Sequence, residues 1–565
     1  MPSLIQELSQ LFGQAFEKAG YEARFGGVQV SGRPDLCQFQ CNGAMPAAKA
    51  KGQNPRVAAE AVLAALQGDL RFKELSLAGP GFINISLSDA ALARHLPQLA
   101  LPKAPQPEKV VIDFGGPNVA KPMHVGHLRS SIIGDCLQRL NRALGHEVVS
   151  DIHLGDWGTQ MGMLILAVGE EKKEASFSLE DLERLYPAMS ARCKADESAA
   201  AAARKATQEL QAGREDYRRL WRRFVDMSIA ALQRDFAELG VHFDLWLGES
   251  DSQAGIPEML KDLEARGVST ASQGAVVIMC DAEQGTELPP LLLVKSDGGY
   301  LYGTTDLATL RERVRDLKAT RLIYVADKRQ GLHFRQVFQG AKKSGYIGPA
   351  RAEHVGFGTV NGKDGKPFKT RDGGVMRLQA LLKMALDEAS KKMDENEIAK
   401  GLSGAERSDI ARKVGYAAVK YADLSNHRSS DYAFDIEKFT QFEGKTGPYL
   451  LYAAVRMKSI LRKAAERSQK LGALLPPGDA ERPLFLKLSA MPEALLRAAD
   501  ENLPHVLCEY AYELSGAFST FYAGCNIINE PDEARRGSWL RLTQVSLDTL
   551  DEVLNILGME TPEQM

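Results

Sequence analysis

Residues 109–154 constrain the fold more than any other part of the chain. A strand-like run at 109–114 precedes a short loop, then apolar residues at helical spacing, then a second strand-like run at 147–154. Gly145 supplies a stop for the predicted helix. This order of elements predicts the first unit of a parallel, nucleotide-binding sheet. The apolar positions of the predicted helix are Val125, Leu128, Ile132, Cys136, Leu140 and Leu144.

The loop that opens this helix carries two histidines. Residues 117–127 read Pro-Asn-Val-Ala-Lys-Pro-Met-His-Val-Gly-His, which places His124 and His127 on the predicted first turn, with Gly126 leaving room for a ligand. Free backbone N–H groups and the positive end of the helix dipole meet there. Two imidazoles at such a terminus favour a phosphate that gains negative charge in a transition state. Alone, the pattern is also typical of a capping feature, and a metal pair lacks a nearby third ligand cluster.

The same residues, followed by Leu-Arg-Ser-Ser-Ile-Ile-Gly at 128–134, resemble the ATP-binding "HIGH" region of class I arginyl-tRNA synthetases. The Gly-Asp-Trp-Gly-Thr-Gln at 155–160 resembles the same family. The resemblance implies ATP, with Mg²⁺, as cofactor and L-arginine and tRNA(Arg) as partners. The ATP-binding residues that it implies are Pro117, Asn118, His124, Gly126, His127 and Lys369.

Three stretches differ in their predicted pattern of strands and helices, which predicts a multidomain α/β protein. Residues 1–103 end in a strand and a Pro-rich linker, and resemble an N-terminal α+β module that contacts the outer corner of tRNA. Residues 104–445 alternate strands and helices, which predicts a Rossmann-type parallel-sheet catalytic core with a helical insertion at about 163–275. Residues 446–565 have helical periodicity and resemble an all-α anticodon-binding domain.

A glycine-rich, basic segment at 362–374 is a second candidate phosphate site. A mobile cationic loop can neutralise a leaving pyrophosphate, although such a segment is in isolation more typical of a solvent-exposed hairpin. It resembles the "KMSKS" loop of class I synthetases, with Lys366 and Lys369 at the lysine positions. Aligning Thr370 and Arg371 with the family instead would leave those positions without lysine. The resemblance therefore implies that Lys121, Lys366 and Lys369 share the triphosphate role, in proportions that stay open.

A pocket for arginine needs planar carboxylate partners for the guanidinium group. Tyr302 and Asp306 lie at the start of a helix predicted from about residue 306, and Gln330 follows the next strand. In isolation Asp306 is most simply an N-cap or first-turn acid. The arginine-binding residues implied by the resemblance are Asp113, Asn118, His124, Tyr302, Asp306 and Gln330.

The charge balance, the apolar runs and the cysteine count indicate which partners and which cellular compartment to expect. The chain has 70 Lys plus Arg against 73 Asp plus Glu, which argues against nonspecific nucleic-acid coating but permits local basic patches for tRNA. No apolar run reaches membrane length, and seven scattered cysteines are typical of a reduced compartment. Cys37 and Cys41 favour core packing over zinc, so no structural zinc is expected. We expect a cytoplasmic monomer without a membrane association.

The implied activity is arginine–tRNA ligation, in which ATP activates arginine to arginyl-adenylate and the arginyl group passes to the 3′ end of tRNA. Two alternatives remain at this stage. A nucleotidylyltransferase of the same superfamily would share His-x-Gly-His but lack the long helical C-terminal domain. A degenerate paralogue would bind arginine or tRNA without catalysis, against which the intact His124, Gly126, His127 and Asp306 argue.

Overall fold

The computed structural model describes residues 3–33, 36–171, 176–283, 285–296, 298–362, 365–366, 368 and 376–565. Its N-terminal part is a four-stranded antiparallel sheet covered by helices. The first helix begins at a reciprocal cap between Ser3 and Gln6, and it buries an apolar stripe against the sheet. The sheet has the order β1-β2-β4-β3. The elements are α1 Leu4–Lys18, β1 Val28–Val30, β2 Phe39–Cys41, α2 Ala44–Lys51, α3 Pro55–Ala65, β3 Phe72–Ala78, β4 Phe82–Leu87 and α4 Asp89–His95.

The central sheet has four parallel strands in the order β11-β10-β5-β6. Its strands are β5 Lys109–Asp113, β6 Glu147–Asp151, β10 Arg321–Asp327 and β11 Arg351–Phe357. The helix α5 Val125–Ala143 crosses from β5 to β6, and α12 Gly331–Lys343 crosses from β10 to β11. The two crossovers leave the sheet in opposite directions from the β5–β10 pair, which makes the carboxyl ends of those strands the switch point where ligands bind.

Helix α5 is held by its apolar face. Leu128, Ile132 and Leu140 are at most 2% exposed and belong to the main hydrophobic core. Truncating one such leucine to alanine costs about 2–5 kcal/mol in comparable cores. The helix ends as expected, because Gly145 directly after its last turn adopts a positive φ of 87°.

After β6, the described residues of the insertion form five α-helices, α6 to α10, and a small antiparallel sheet of order β7-β8-β9. It leads into α11, which begins at Tyr302 rather than near Asp306 as the sequence predicted. The elements are α6 Thr159–Glu170, α7 Leu179–Ala195, α8 Glu197–Gln211, α9 Glu215–Leu239, α10 Ile256–Ala265, β7 Thr270–Ser272, β8 Ala275–Ile278, β9 Leu291–Val294 and α11 Tyr302–Arg315.

After β11, the regular elements of the described residues are helices and one two-stranded parallel ladder, β12 with β13. The final helices pack around α16 and α20, whose apolar faces are buried. Among the described helices, none is long and apolar enough to cross a membrane. The elements are β12 Val360–Asn361, α13 Leu378–Glu395, α14 Gly404–Leu424, β13 Tyr432–Ala433, α15 Ile436–Phe439, α16 Gly447–Glu466, α17 Arg482–Ser489, α18 Met491–Asp500, α19 Pro504–Gly524 and α20 Glu533–Ile556.

The predicted multidomain α/β fold is confirmed: an N-terminal α+β part, a parallel-sheet core with a helical insertion, and a helical C-terminal part. Cys37 and Cys41 are both buried in the N-terminal part, as expected of core residues. The Cys37 Sγ lies 3.2 Å from Ser31 Oγ, and Cys41 lies on β2. Burial raises the pKa of the Cys41 thiol to about 11, so this sulfur stays protonated and unreactive near neutral pH.

Candidate active site

Two histidines cap the N-terminus of α5. His124 is the N-cap residue, and its Nδ1 accepts a hydrogen bond from Gly126 N–H at 3.0 Å. His127, the third helical residue, accepts from His124 N–H through Nδ1 at 3.3 Å, and the two rings stack with centroids 3.9 Å apart. Because Nδ1 accepts in both rings, a neutral imidazole must carry its proton on Nε2. The cap therefore fixes both tautomers and leaves one Nε2–H donor on each ring.

Both histidines are held in the neutral form. Burial lowers the pKa of His127 to about 3, with smaller contributions from His124 and the Lys121 ammonium. Burial also lowers the pKa of His124, again assisted by Lys121. Lys121 itself lies over the ring of Tyr186 in the insertion, with Nζ 4.7 Å from the ring centroid. The helix terminus thus offers two neutral donors and one nearby cation, a set that suits a polyphosphate.

Glycine is required between the two histidines. A Cβ built on Gly126 would lie 2.8 Å from Cε1 of His124, closer than any ordinary contact. A side chain at this position would therefore displace the His124 ring and break the cap.

Asn118 is fixed at the carboxyl end of β5 by the segment that follows β6. Gly155 N–H donates to the Pro117 carbonyl at 3.2 Å, and Val119 N–H donates back to the Gly155 carbonyl at 3.1 Å. The Asn118 Oδ1 lies 3.5 Å from Gln160 Nε2. A Cβ at Gly155 would meet that oxygen at 2.3 Å, which explains the glycine in the 155–160 motif. Asn118 is therefore held at the switch point of the sheet.

Asp306 is not a helix cap. Helix α11 begins at Tyr302 with Leu301 as N-cap, so Asp306 lies in the second turn. Its carboxylate is hydrogen-bonded to Nε2 of His333, on the first turn of the neighbouring helix α12. Gln330 directly precedes α12 as its N-cap residue. The side chain of Tyr302 is 70% exposed. Residues from two adjacent helices thus meet beside the carboxyl end of β10.

A second carboxylate, Glu249, lies close to Asp306 and was not identified from the sequence. Burial raises the pKa of Glu249 to about 7; nearby His153 opposes the shift, and the negative charges of Asp306 and Asp156 add to it. Partial burial raises the pKa of Tyr302, and the charges of Glu249 and Asp306 add to the shift. Two carboxyl groups and a phenol therefore share one electrostatic environment. Such a group favours a cationic ligand, because the cation relieves the repulsion between the two acids.

Asp113 is bound to an arginine of the chain itself. The Nη2 of Arg313 lies 2.7 Å from Asp113 and 2.6 Å from Asp151, and Arg313 is 3% exposed. Burial raises the pKa of Asp113, and the Arg313 charge opposes that shift. The potential ligand atoms of Asp113, Asp151 and His153 lie within 4.8 Å of one another, but the guanidinium of Arg313 occupies the cationic position between the two carboxylates. The contact of Asp113 with a substrate stays a prediction.

Described residues before, within and after the basic segment at 362–374 make defined backbone contacts. At its start, β12 pairs with β13, and Gly362 N–H donates to the Lys366 carbonyl at 2.7 Å. Beyond its end, Val125 N–H donates to the Met376 carbonyl at 3.0 Å, directly beside the histidine cap. Lys369, and with it Thr370 and Arg371, lies outside the described residues. Met376, the first described residue after the segment, therefore lies beside the N-terminus of α5.

Three protein-family models match the chain. They are described as the catalytic domain of class I tRNA synthetases (R), matching residues 90–436, the DALR anticodon binding domain, matching 450–565, and the arginyl tRNA synthetase N terminal domain, matching 6–87.

Similar proteins cover the whole chain. An arginine–tRNA ligase of Hyphomonas neptunium is 48% identical over the full length of both chains, and one of Maricaulis maris is 47% identical, also over both full lengths. Among solved structures, arginyl-tRNA synthetase from Plasmodium falciparum superposes with a TM-score of 0.84 at 26% identity, covering all of both chains. The Thermus thermophilus arginyl-tRNA synthetase has the same fold, with a TM-score of 0.83, 24% identity and full coverage of both chains.

Proposed function

This chain belongs to the arginine–tRNA ligase family of class I aminoacyl-tRNA synthetases, and from that premise we propose which of its residues carry each step. ATP binds with its phosphates at the N-terminus of α5, and arginine binds between α11, α12 and Glu249. The observation that carries this assignment is geometric: Asp306 on α11 is hydrogen-bonded to His333 on the first turn of α12, which follows β10, and β10 is the sheet neighbour of β5, which leads to the histidine cap. An intact cap, together with full-length ligase relatives, gives no support to a degenerate paralogue.

In the first step a carboxylate oxygen of arginine attacks the α-phosphorus of ATP. The bond from that phosphorus to the bridging oxygen breaks, and pyrophosphate leaves with the electron pair. The Nε2–H groups of His124 and His127 donate to phosphate oxygens whose charge grows in the transition state. Lys121 supplies positive charge for the leaving group, with Lys366 and Lys369 in the same role. Mg²⁺ carried with ATP would add positive charge at the phosphates, while the residues named here act by positioning and charge stabilisation.

Arginine is recognised through its guanidinium group. Asp306 and Glu249 pair with the cation, and Tyr302 and Gln330 complete the pocket with a ring and an amide. Asn118, held by the 155–160 segment, binds the substrate near its α-amino group, and His124 lies between the two substrates. Asp113, which is paired with Arg313 together with Asp151, contributes negative charge at the carboxyl end of β5, next to the proposed arginine site.

In the second step a ribose hydroxyl of the terminal adenosine of tRNA(Arg) attacks the carbonyl carbon of arginyl-adenylate; the bond from that carbon to the phosphate oxygen breaks, AMP leaves with the electron pair, and the hydroxyl proton passes to the AMP phosphate or to solvent. The helical C-terminal part offers an exposed platform for bases, in which the Arg456 guanidinium lies 5.5 Å from the Tyr452 ring centroid and 5.3 Å from that of Tyr522. Both tyrosines are about two-fifths exposed (39% and 40%), and stacking on such rings suits single-stranded loops. The N-terminal part contacts the outer corner of tRNA.

We place the functional boundaries at 1–103, 104–445 and 446–565, with the insertion at about 163–275, close to the matched ranges. The chain acts as a cytoplasmic monomer in this proposal. All seven cysteines are free and six of them are buried, which is typical of proteins in reducing surroundings.

The pH dependence of arginine binding tests the acid pair. Because the pKa of Glu249 is about 7, its carboxyl is protonated in the free enzyme at lower pH, whereas a bound guanidinium favours the carboxylate. The KM for arginine should therefore fall as pH rises toward about 7.5, by up to about tenfold per pH unit below the pKa. Glu249→Gln should raise this KM and flatten its dependence on pH.

The measurement is the KM for arginine from about pH 5.5 to 7.5 at saturating ATP and tRNA, which stays below the reference pKa of an α-amino group. Glu264→Gln, at an exposed position on α10, is the matched control and should keep the profile of the parent enzyme. A pH-dependent KM that persists in Glu249→Gln would remove Glu249 from the pocket.

A further inference from the structure

A buried ion pair joins the histidine helix to α14. The Nε of Arg129 on α5 lies 3.1 Å from a carboxylate oxygen of Asp423, and each residue is 1% exposed. Burial raises the pKa of Asp423, and the Arg129 charge opposes that shift. A pair of this kind adds little net stability over well-packed apolar residues, although losing one partner is costly. The role that we consider for this ion pair is therefore to fix the position of α5 relative to α14.

Arg129 reaches a third element, which we call the connecting segment and define as residues 428–434. Nη1 of Arg129 donates to the Ser430 carbonyl at 2.8 Å, and the guanidinium carbon lies 5.2 Å from the ring centroid of Tyr432. The hydroxyl of Tyr432 donates to Asp423 at 3.0 Å. One planar guanidinium thus fixes α5, α14 and the connecting segment together, which the single ammonium of a lysine could not do.

The connecting segment also holds the turn that carries Gln330. Asp431 accepts from Lys328 Nζ at 2.8 Å, and Lys328 begins the three-residue turn that ends at Gln330. The same carboxylate oxygen of Asp431 accepts from Thr359 N–H at 2.8 Å, directly before β12. The connecting segment is therefore bonded to the arginine side of the site and to the strand before the basic segment.

The backbone of the connecting segment lies close to the backbone of residues 358–360. Gly358 N–H donates to the Arg428 carbonyl at 3.0 Å, and a Cβ at Gly358 would lie 2.4 Å from a carboxylate oxygen of Asp431. Tyr432 pairs with Val360 in the β12–β13 ladder. Hydrogen bonds and the ladder tie the connecting segment to Gly358, Thr359 and β12, so we expect a displacement at Arg129 to reach both segments.

From these contacts we infer that Arg129 is a positioning residue for adenylate formation, which sets the histidine cap relative to the Gln330 turn and β12. It touches neither substrate in this arrangement. The inference rests on the assignment of the histidine cap to ATP and of Gln330 to arginine. A misplacement of reacting groups by about 1 Å can lower the rate about a hundredfold. Contacts that fix the relative positions of the two halves of the site should therefore affect kcat.

Arg129→Lys is the test, with Arg321→Lys as matched control. Arg321 is also buried, at 2% exposed, and pairs with Glu353 at 2.9 Å, but it lies at the amino end of β10, away from the site. We expect Arg129→Lys to lower kcat of arginine-dependent ATP–pyrophosphate exchange with tRNA by about 10–100-fold, with both KM values within about threefold. Arg321→Lys should keep kcat within about threefold despite a comparable fall in Tm.

Tyr432→Phe is the milder variant, because it removes only the hydrogen bond to Asp423 and keeps the ring. It should also lower kcat, by less than Arg129→Lys. If Arg129→Lys does not fold, Tyr432→Phe alone tests the inference. Equal loss of kcat in the Arg129 and Arg321 variants, or an unchanged kcat in a folded Arg129→Lys or in Tyr432→Phe, would overturn the inference alone. A parent enzyme without arginine-dependent exchange would overturn the proposed function as well.

Discussion

Asp306→Asn is expected to lower kcat/KM for arginine by about 10²–10⁴-fold, because a guanidinium in the pocket would lose a charged partner at a cost of about 3–5 kcal/mol. The structure places Asp306 in the second turn of α11, where it cannot cap the helix, and beside Glu249. Citrulline has a similar shape without the charge, and its neutral urea group can still bond to an amide. Its kcat/KM should therefore fall much less.

Adenylation kinetics with arginine and citrulline on folded variants make the measurement. Asp316→Asn is the control, since Asp316 is an exposed acid at the end of the same helix, paired with Arg315 at 2.7 Å. If Asp306 served only to hold His333, its substitution would lower Tm and leave the ratio of arginine to citrulline unchanged. An arginine kcat/KM within threefold of the parent would remove Asp306, and with it Tyr302, from the binding site.

His127→Ala is expected to lower kcat by about 10²–10³-fold, equivalent to about 3–4 kcal/mol in the barrier, with a much smaller change in the KM for ATP. In the proposed mechanism its Nε2–H donates to phosphate oxygens whose negative charge develops only in the transition state. The pKa of His127 is about 3, so the ring stays neutral from about pH 5 upward and kcat should show no His127 titration there.

His127→Asn distinguishes the contribution of the hydrogen-bond donor from that of the imidazole ring. Its amide can accept from His124 N–H and donate outward, so it should retain part of the activity that alanine loses. The rates come from arginine-dependent pyrophosphate exchange at saturating tRNA. An unchanged kcat with a raised ATP KM in His127→Ala would identify the histidine as a ground-state contact only.

The strand, loop, helix and strand order of residues 109–154 was predictable because local signals agree there. Helical spacing defines α5 and Gly145 ends it. The start of α11 was placed too late for a physical reason: Leu301 has no capping side chain, and Gly303, Thr304 and Thr305 are weak helix formers. Tertiary contacts compensate, since the Thr304 hydroxyl donates to the Leu293 carbonyl and the turn is buried.

The site was only partly predictable, since some of its members meet through the fold alone. Glu249 follows a segment that pairs with the end of β6, through bridges of Leu245 with Asp151 and Gly248 with Leu154. No local motif marks it, because an acid in a loop is ordinary in sequence. The pairing of Asp113 with Arg313 likewise depends on packing α11 against the sheet, far along the chain.

The central claim is that this site selects arginine and transfers it to tRNA. Charging of total tRNA with ATP and each of the common amino acids in turn measures this directly. The account predicts acid-precipitable aminoacyl-tRNA with arginine, and background levels with lysine and every other amino acid. Charging with another amino acid at a rate comparable to arginine, or no charging with arginine by a folded enzyme, would contradict it.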